Sequence, residues 1–505
     1  MKKACWLLVL LLTSSVLFAQ TIDWKKKLPI VNQYIDSLMK DWNIPGLAIA
    51  IVQGDKLVYA KGFGYRNLEQ QLPVDTSTLF PIASNSKLFT ATAAAEMDLE
   101  HKLSLDAPVR DYLPQLHFST DELNAKATLR DLLSHRTGLP RYDAFWAYNT
   151  DITRDDLLQL VQYMKPQYTL REGYIYNNVM YATAGIAMEK ITDSSWESII
   201  RKRLFNPLQM KASCFLPEEM TAYGNYSLSY YQNDSSKQMF PITHPAQSLA
   251  LGPAGTIKST VGDMSHWMIA QLNKGQYKGI QAIPAAAIEE TLLAQNVTEK
   301  KARWPELSNS LYCLGRTVQS YKGYQLVYHT GSIDGFYSNL SFLPGEKLGI
   351  FMVHNATEAG SLRSIMALPV FDILLGLPRT PWISRYKEDY GKAKAKQKKD
   401  EQAFLANQQK GTNPSHPLAD YTGIYKHPAY GQLTIKMVNG ALQADYRHLL
   451  LPLHHYHYDQ FRTDEKNSDL PDFSFHFRLD ENGHIAAVEI VELAEVDEVV
   501  FEKEK

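Results

Sequence analysis

The sequence predicts an α/β or α+β domain, with an antiparallel or mixed sheet flanked by helices, followed by a small all-β domain. Residues 20–384 run from a strand pair through a helical middle to a second group of strands. Residues 418–505 contain only short β-rich runs at close spacing. We therefore predict two folded units joined by a charged linker at 385–417.

The first unit begins with a helix and a hairpin. Residues 26–40 place apolar side chains at helical intervals, which predicts an amphipathic helix. GLAIAIVQGDKLVYAKGFGYRN follows, and Gly54-Asp55 divides its two β-rich runs, as in a hairpin turn. Further helices are predicted over 84–101, 128–140, 154–165 and 178–203.

The second group of strands closes the larger unit. YQLVYHTG, SNLSFLP and LGIFMVHN predict consecutive antiparallel strands with turns at Gly331–Gly335 and Pro344-Gly345-Glu346. A last helix is predicted near 361–375. Loops 141–152 and 214–245 carry aromatic side chains and are expected to shape any pocket.

The linker and the C-terminal unit differ in composition. The lysine run in the linker indicates a solvated helix or tether, and a basic patch for anionic envelope polymers is the alternative. Beyond it, Asn439-Gly440 and Asn482-Gly483 mark hairpin turns between short strands. We predict a small sandwich or barrel there.

The N-terminus resembles a leader sequence. Lys2 and Lys3 precede the apolar run CWLLVLLLTSSVLF, and Ala19 precedes a plausible cleavage point. This pattern predicts a secretory signal peptide over residues 1–19, with a short N-terminal anchor as the alternative. The mature protein is then expected in the periplasm or outside the cell, with no further membrane span.

Composition limits the partners. The 505 residues carry a net charge of −2, which gives no reason to expect a nucleic acid partner. With Cys5 in the predicted leader, Cys214 and Cys313 remain; buried free thiols and a single disulfide are both open. The sequence does not indicate an oligomeric state.

Ser84 and Lys87 are the candidates for catalysis. They lie three residues apart in FPIASNSKLFTATAAAEMDLE, so a helix would place them on one face. A serine hydroxyl needs a base, and a lysine becomes one when apolar surroundings lower its pKa. The backbone N–H of Ser84, near the helix start, is suited to half of an oxyanion hole.

The S-x-x-K pattern alone is not specific. It recurs at Ser37–Lys40 and Ser384–Lys387, both in polar contexts. A helix cap with a solvated lysine is the alternative to catalysis at Ser84. Further motifs therefore matter: Tyr176-Asn177-Asn178 leads into an apolar helix, and His329-Thr330-Gly331 ends a strand.

Five stretches in order carry a family resemblance. They are FPIASNSKLFTA, TLRDLLSHRTGLP, EGYIYNNVMYATAG, GPAGTIKSTVGDMSHWM and YHTGSIDGFYSNLSFLPG. Together they resemble the serine β-lactamase and penicillin-binding-protein-like hydrolases, most of all the class C branch with its esterases and D-amino-acid peptidases. The resemblance implies a β-lactamase/transpeptidase-like fold, and the C-terminal strands resemble a barrel-like accessory domain.

The resemblance implies roles for individual residues. Ser84 would be the acylated nucleophile, and Lys87 and Tyr176 would share general acid and base work. Asn178 and the His329-Thr330-Gly331 segment would bind the substrate. The backbone N–H groups of Ser84 and Ser332 would form the oxyanion hole. Neither a metal nor an organic cofactor is implied.

His329 departs from the family pattern, which has lysine there. A histidine is only partly charged near neutral pH, so it attracts a substrate carboxylate less than a lysine does. This favours esters, amides or D-amino-acid peptides over a β-lactam or a C-terminal D-Ala carboxylate. A peptide substrate derived from the cell wall stays open.

Two other functional classes compete with a serine hydrolase of this type. One is an inactive penicillin-binding-like sensor or envelope-binding protein. The other is a Ser-His-Asp α/β-hydrolase, but this sequence contains no G-x-S-x-G nucleophile elbow, which that class requires. His454, His455 and His457 are interpreted as barrel-strand residues rather than metal ligands, and Asp334 as a turn residue.

Overall fold

The computed structural model describes residues 22–504 apart from 148–150, 234–235, 243–247, 448, 464–471 and 495. The predicted signal peptide lies outside these residues. Within them, no helix is both long and apolar enough to cross a bilayer.

The helices of the described residues are numbered in chain order. They are α1 (Trp24–Asp41), α2 (Ser86–Leu99), α3 (Asp121–Lys126), α4 (Leu129–Leu133), α5 (Arg154–Val161), α6 (Asn178–Thr192), α7 (Trp196–Ile200), α8 (Pro217–Tyr223), α9 (Gly252–Gly255), α10 (Val261–Leu272), α11 (Ala285–Glu290), α12 (Leu368–Leu375) and α13 (Trp382–Ala406).

The strands of the larger unit are β1 (Gly46–Gln53), β2 (Lys56–Asn67), β3 (Leu72–Pro73), β4 (Phe80–Pro81), β5 (Tyr230–Gln232), β6 (Met239–Pro241), β7 (Lys258–Ser259), β8 (Gln276–Tyr277), β9 (Ile280–Gln281), β10 (Asn296–Glu299), β11 (Ser310–Tyr312), β12 (Thr317–Tyr321), β13 (Tyr324–Ile333), β14 (Phe336–Leu343) and β15 (Leu348–His354). Those of the smaller unit are β16 (Gly423–His427), β17 (Gly431–Val438), β18 (Ala441–Tyr446), β19 (Leu449–His457), β20 (Gln460–Arg462), β21 (Ser474–Leu479), β22 (Ile485–Ile490) and β23 (Val500–Lys503).

An antiparallel sheet of nine described strands forms the centre of the larger unit. Its order is β10-β11-β12-β13-β14-β15-β1-β2-β3. In the central strand β1, Leu47 and Ile49 point into one apolar layer, with α1 and α12, while Ala48 and Ala50 point into the other, with α2 and α10. Because neighbouring side chains of a strand face opposite ways, the unbroken apolar run GLAIAIV indicates a strand covered on both faces.

Five predicted helices are shorter than expected or broken. The one expected over 154–165 ends at Val161, and the one expected near 361–375 begins at Leu368. The helix expected over 84–101 starts at Ser86, after a 3-10 turn at Ala83–Asn85. The helix expected over 128–140 ends at Leu133, since His135 adopts a left-handed φ of 59°. The stretch 178–203 breaks at Asp193, which has φ of 49°. Left-handed residues stop a helix, and spacing alone does not predict them.

The turn predicted at Gly331–Gly335 is shorter than expected. β13 continues through Ile333, and Asp334 and Gly335, both at positive φ, form the turn to β14. Cys214 and Cys313 are free and buried. The region predicted as a linker contains most of α13, a largely exposed helix whose buried residue is Trp382.

The C-terminal unit is a closed antiparallel barrel of eight described strands, β16–β23. β16 pairs with both β17 and β23, which closes the ring. Aromatic side chains fill its interior: the Phe477 ring lies 4.9 Å from Tyr421 and 5.6 Å from Phe461. The predicted barrel-like fold is therefore present.

Candidate active site

Ser84 lies on the 3-10 turn that precedes α2. Ala83, just before it, has a left-handed φ of 50°. The turn is held against the sheet, because Ser338 Oγ donates to Ile82 O and accepts from Asn85 Nδ2, each at 2.7 Å. A strained residue fixed by its surroundings is common beside catalytic groups, since it holds the neighbouring side chain in one place.

Lys87 occupies the buried side of the same helical turn. Its side chain is fully buried, and Nζ donates to three neutral oxygens. These are Asn178 Oδ1 at 2.7 Å, the Ala254 carbonyl at 2.7 Å and Ser84 Oγ at 3.1 Å. When the amine loses its proton, the contact with Ser84 allows the hydroxyl to donate to Nζ.

The charge of Lys87 follows from these surroundings. Burial, and then the nearby positive charge of Arg141, hold its pKa well below the usual value, while Asp143 offsets part of the effect. None of the three oxygens that accept from Nζ belongs to a carboxylate. The arrangement therefore favours the neutral amine that a general base requires.

Tyr176 lies next to both groups. Lys87 Nζ sits 4.8 Å from the centre of its ring, and the Tyr176 hydroxyl lies beside Ser84. The side chain keeps a partly exposed edge but lies deep among protein atoms, and this desolvation raises the pKa of the phenol, which the nearby Ser84 lowers in part. Tyr176 thus remains protonated at neutral pH and is suited to donate a proton.

Asn178 links this pair to a loop. It is the first residue of α6, and its amide oxygen accepts from Lys87 while its amide nitrogen donates to Asp143 Oδ1 at 3.0 Å. The family resemblance implies that Asn178 binds substrate; in the structure both ends of its amide contact protein groups.

The His329-Thr330-Gly331 segment lies near the end of strand β13. A Cβ on Gly331 would come within 2.2 Å of Ile82 O, so glycine allows the strand to lie against the 3-10 turn that carries Ser84. His329 is buried: Nδ1 donates to the Thr330 carbonyl at 2.7 Å, which leaves Nε2 to accept from the Tyr312 hydroxyl at 3.1 Å.

The expectation of a partly charged His329 is wrong. Burial, with Lys87 close by, lowers the pKa of its imidazole to about 3. With Nδ1 donating and Nε2 accepting, the hydrogen bonds of the ring are those of a neutral imidazole. His329 therefore brings no positive charge to the site near neutral pH, because burial disfavours the charged form of the ring.

The strand register determines where the Ser332 N–H points. Asp334 and Gly335 form a two-residue turn, so Ile333 and Phe336 are a hydrogen-bonded pair and Ser332 and Tyr337 are not. The Ser332 N–H and C=O thus point away from β14. On that side the pairing with β12 ends at Tyr328, which leaves this N–H directed to an open edge.

Several residues around the site are not predicted by the sequence patterns. His135 follows a short helix, yet its ring lies 4.3 Å from that of Tyr176 and its Nδ1 accepts from the Asn177 N–H. Arg141 lies over the Tyr176 ring at 5.0 Å. Asp143 and Tyr312 also contact site residues. The one available signal is a loop of polar and aromatic residues directly after GLP.

The comparison with known proteins identifies the larger unit. A family model described as Beta-lactamase matches residues 31–373, and one for a domain of unknown function, DUF3471, matches residues 407–503. The first match covers more than half of the chain and includes every candidate site residue.

Two curated relatives extend the likeness. "Unguisins hydrolase ungD" from Aspergillus violaceofuscus is 26% identical over 446 residues, 80% of this chain and 76% of that protein. "Protein flp" from Staphylococcus aureus (strain MW2) is 24% identical over 331 residues, 64% of this chain and 62% of that protein.

Solved structures share the fold. The octameric penicillin-binding protein homologue from Pyrococcus abyssi superposes with a TM-score of 0.62 at 22% identity, covering 94% of this chain and 99% of that one. The crystal structure of SurE gives 0.57 at 16% identity, covering 95% and 100%. The chain therefore belongs to the serine β-lactamase and penicillin-binding-protein-like family, with a C-terminal β-barrel domain.

Proposed function

We propose that this protein is an exported serine hydrolase that cleaves amide or ester bonds through an acyl-enzyme on Ser84. One observation carries the proposal: the fully buried Lys87 Nζ lies 3.1 Å from Ser84 Oγ, in surroundings that lower its pKa. Such a lysine has little use as a structural cation, since burying a charge is unfavourable.

In the proposed acylation, Ser84 Oγ attacks the substrate carbonyl and forms the C–O bond. Its proton passes to Lys87, and Tyr176 delivers a proton to the leaving nitrogen or oxygen as that bond breaks. The backbone N–H groups of Ser84 and Ser332 stabilise the tetrahedral oxyanion. Tyr176 recovers its proton from Lys87, so the enzyme's charge is unchanged.

In the second half, water attacks the acyl carbon. One water proton goes to the Lys87–Tyr176 pair, and Ser84 Oγ takes a proton back as it leaves. The products are the carboxylic acid and the free serine. The register of β13 supports this scheme, because it directs the Ser332 N–H to the open strand edge.

We infer that substrates are small esters, amides or D-amino-acid peptides, cell-wall-derived ones included. A neutral His329 supports this, because the His329-Thr330-Gly331 segment then offers no cation to the carboxylate of a β-lactam. The word hydrolase in the name of one relative agrees with the reaction class. The alternative, a non-catalytic binding protein, predicts no acylation at Ser84.

Intact-mass spectrometry tests the proposal directly. Mature protein is treated with a fluorophosphonate and, separately, with a penicillin. We expect one fluorophosphonate adduct that is absent in Ser84→Ala and present in Ser37→Ala, whose serine is exposed on α1. An unmodified wild-type mass with both probes would support the binding-protein alternative.

Export is tested separately. The predicted signal peptide leads us to expect a secreted or periplasmic product whose first residue is Gln20. Cell fractionation and N-terminal sequencing of the expressed full chain would check this, and a cell-associated product that retains residues 1–19 would contradict it.

A further inference from the structure

A loop beside the active site reaches into the contact with the barrel. We call residues 141–147 the site loop; its 3-10 turn is Asp143–Phe145. Phe145 is fully buried, its ring lies edge-on to Tyr430 of the barrel at 5.3 Å, and the Arg447 guanidinium sits 5.0 Å above it. Phe145 is thus an anchor between the two domains.

The barrel side of this contact is itself fixed. Arg447 Nε and Nη2 both donate to the Tyr430 carbonyl, at 3.2 and 3.0 Å. The Tyr446 hydroxyl donates to the same carbonyl at 3.2 Å, and the Tyr430 hydroxyl donates to the Leu493 carbonyl at 3.3 Å. Because Arg447 makes two bonds to this carbonyl, its guanidinium cannot move away from the Phe145 ring without breaking both.

The first residue of the same 3-10 turn, Asp143, contacts Asn178, which binds the proposed base. Asp143 Oδ1 accepts from Trp146 Nε1 at 3.1 Å and from Asn178 Nδ2 at 3.0 Å. With its nitrogen bonded to Asp143, the Asn178 amide must direct its oxygen to Lys87, where it accepts at 2.7 Å. A flipped amide would instead place N–H donors against the Lys87 amine.

We propose that the C-terminal barrel holds the site loop in its working position through Phe145, so that Asp143 orients Asn178 against Lys87. Asp143 is then a positioning residue, acting through Asn178, and the barrel is a structural part of the active site. This inference rests on the proposed function, because it assigns the orientation of the proposed base.

The charge on Asp143 gives the proposal a distinctive signature. Asp143 raises the pKa of Lys87, against the effects of burial and Arg141. The titratable or charged side chains facing Lys87 are His135, Arg141, Asp143, Tyr176, Tyr181 and His329. Of these, Asp143 is the carboxylate, so neutralising it lowers the pKa of the base.

The first experiment measures fluorophosphonate acylation rates against pH. In Asp143→Asn we expect the rate at neutral pH to fall about 10-fold to 100-fold, because a misplaced base loses reach to Ser84. The inflection assigned to Lys87 should move to lower pH. A loss of rate with an unmoved inflection, or no loss, would overturn the role of Asp143.

The second experiment tests the barrel. We expect Phe145→Ala and Arg447→Met each to slow acylation about 10-fold or more, and the double variant to lose little beyond either single change, since both remove one contact. If Phe145→Ala fails to fold, Arg447→Met tests the same contact from the barrel side. Tyr458→Ala is the matched control, because this aromatic side chain is exposed on the barrel domain and its truncation leaves the barrel core intact.

The outcomes separate the two proposals. A wild-type protein that is not acylated overturns the proposed function and this inference together. A wild type that reacts, with Phe145→Ala and Arg447→Met reacting as fast as Tyr458→Ala, overturns this inference alone and leaves Ser84 as the nucleophile.

Discussion

Two regions of the molecule carry the same four-residue pattern in opposite surroundings. Ser84 and Lys87 stand at the start of α2, and Ser37 and Lys40 on α1. Both pairs are three residues apart on a helical turn. Lys87 is fully buried and its Nζ donates to neutral oxygens, whereas Ser37 and Lys40 are exposed. Spacing supplies proximity, and burial supplies the lowered pKa that the proposed base requires.

The largest expected effect separates the two lysines. We expect Lys87→Ala to lower kcat/KM about 10³-fold or more, because general-base catalysis typically contributes about 10²- to 10⁴-fold. Lys40→Ala should leave kcat/KM unchanged. Steady-state kinetics on a small ester, with circular dichroism to check folding, gives the answer; a loss below about tenfold in Lys87→Ala would show that another group is the base.

The next effect compares two tyrosines. Tyr176→Phe removes the hydroxyl beside Ser84, and we expect kcat to fall about 10²-fold from loss of proton transfer. Tyr34, one turn before Ser37, donates to the Met366 carbonyl at 3.1 Å. Tyr34→Phe should therefore lower the melting temperature slightly and leave kcat alone. Equal kcat values in the two variants would contradict the role of Tyr176.

A smaller effect is expected where β13 packs against the 3-10 turn that carries Ser84. In Gly331→Ala the new methyl group would press on Ile82 O and Ser338 Oγ. Overpacking of this kind costs about 1–3 kcal/mol of folding free energy, and the displaced turn should slow acylation about tenfold. Gly345→Ala is the control, since an added Cβ there meets nothing within 4 Å. Chemical denaturation and acylation rates measure both.

The smallest expected effect concerns pH. The rate of acylation should rise with pH through the lowered pKa of Lys87, because only the neutral amine accepts the proton. His329, with its pKa lowered to about 3, is already neutral at pH 5 and above. His329→Gln should therefore give a pH profile of the same shape between about pH 5 and 8. A lost inflection near pH 6 in the variant would show that His329 titrates.

Lys87 also links pH to stability. A depressed pKa in the folded state means that the folded protein binds fewer protons than the unfolded chain between the two pKa values. This penalty on folding is absent above the unfolded pKa and grows as the pH falls through that window. Lys87→Met should flatten the dependence on pH of the free energy of unfolding there, which denaturation at several pH values measures.

The sequence predicts much of the scaffold and less of the site. The run in β1, the hairpin turns and the barrel strands follow from patterns within a few residues, so local physics determines them. His135 and Asp143 approach the site only through tertiary contacts, with Tyr176 and Asn178. The charge of His329 depends on burial, which spacing does not report.

The two cysteines among the described residues are buried free thiols. This makes the protein without its predicted leader, and thus without Cys5, convenient for labelling. Burial raises the pKa of both Cys214 and Cys313 to about 11, so very little reactive thiolate exists at neutral pH. A cysteine introduced at exposed Tyr458, on the barrel, would react selectively with a maleimide dye. A second one at exposed Leu57 on β2 would complete a donor–acceptor pair. Energy transfer in single molecules would then report whether the distance between the barrel and the larger unit changes when a substrate is added.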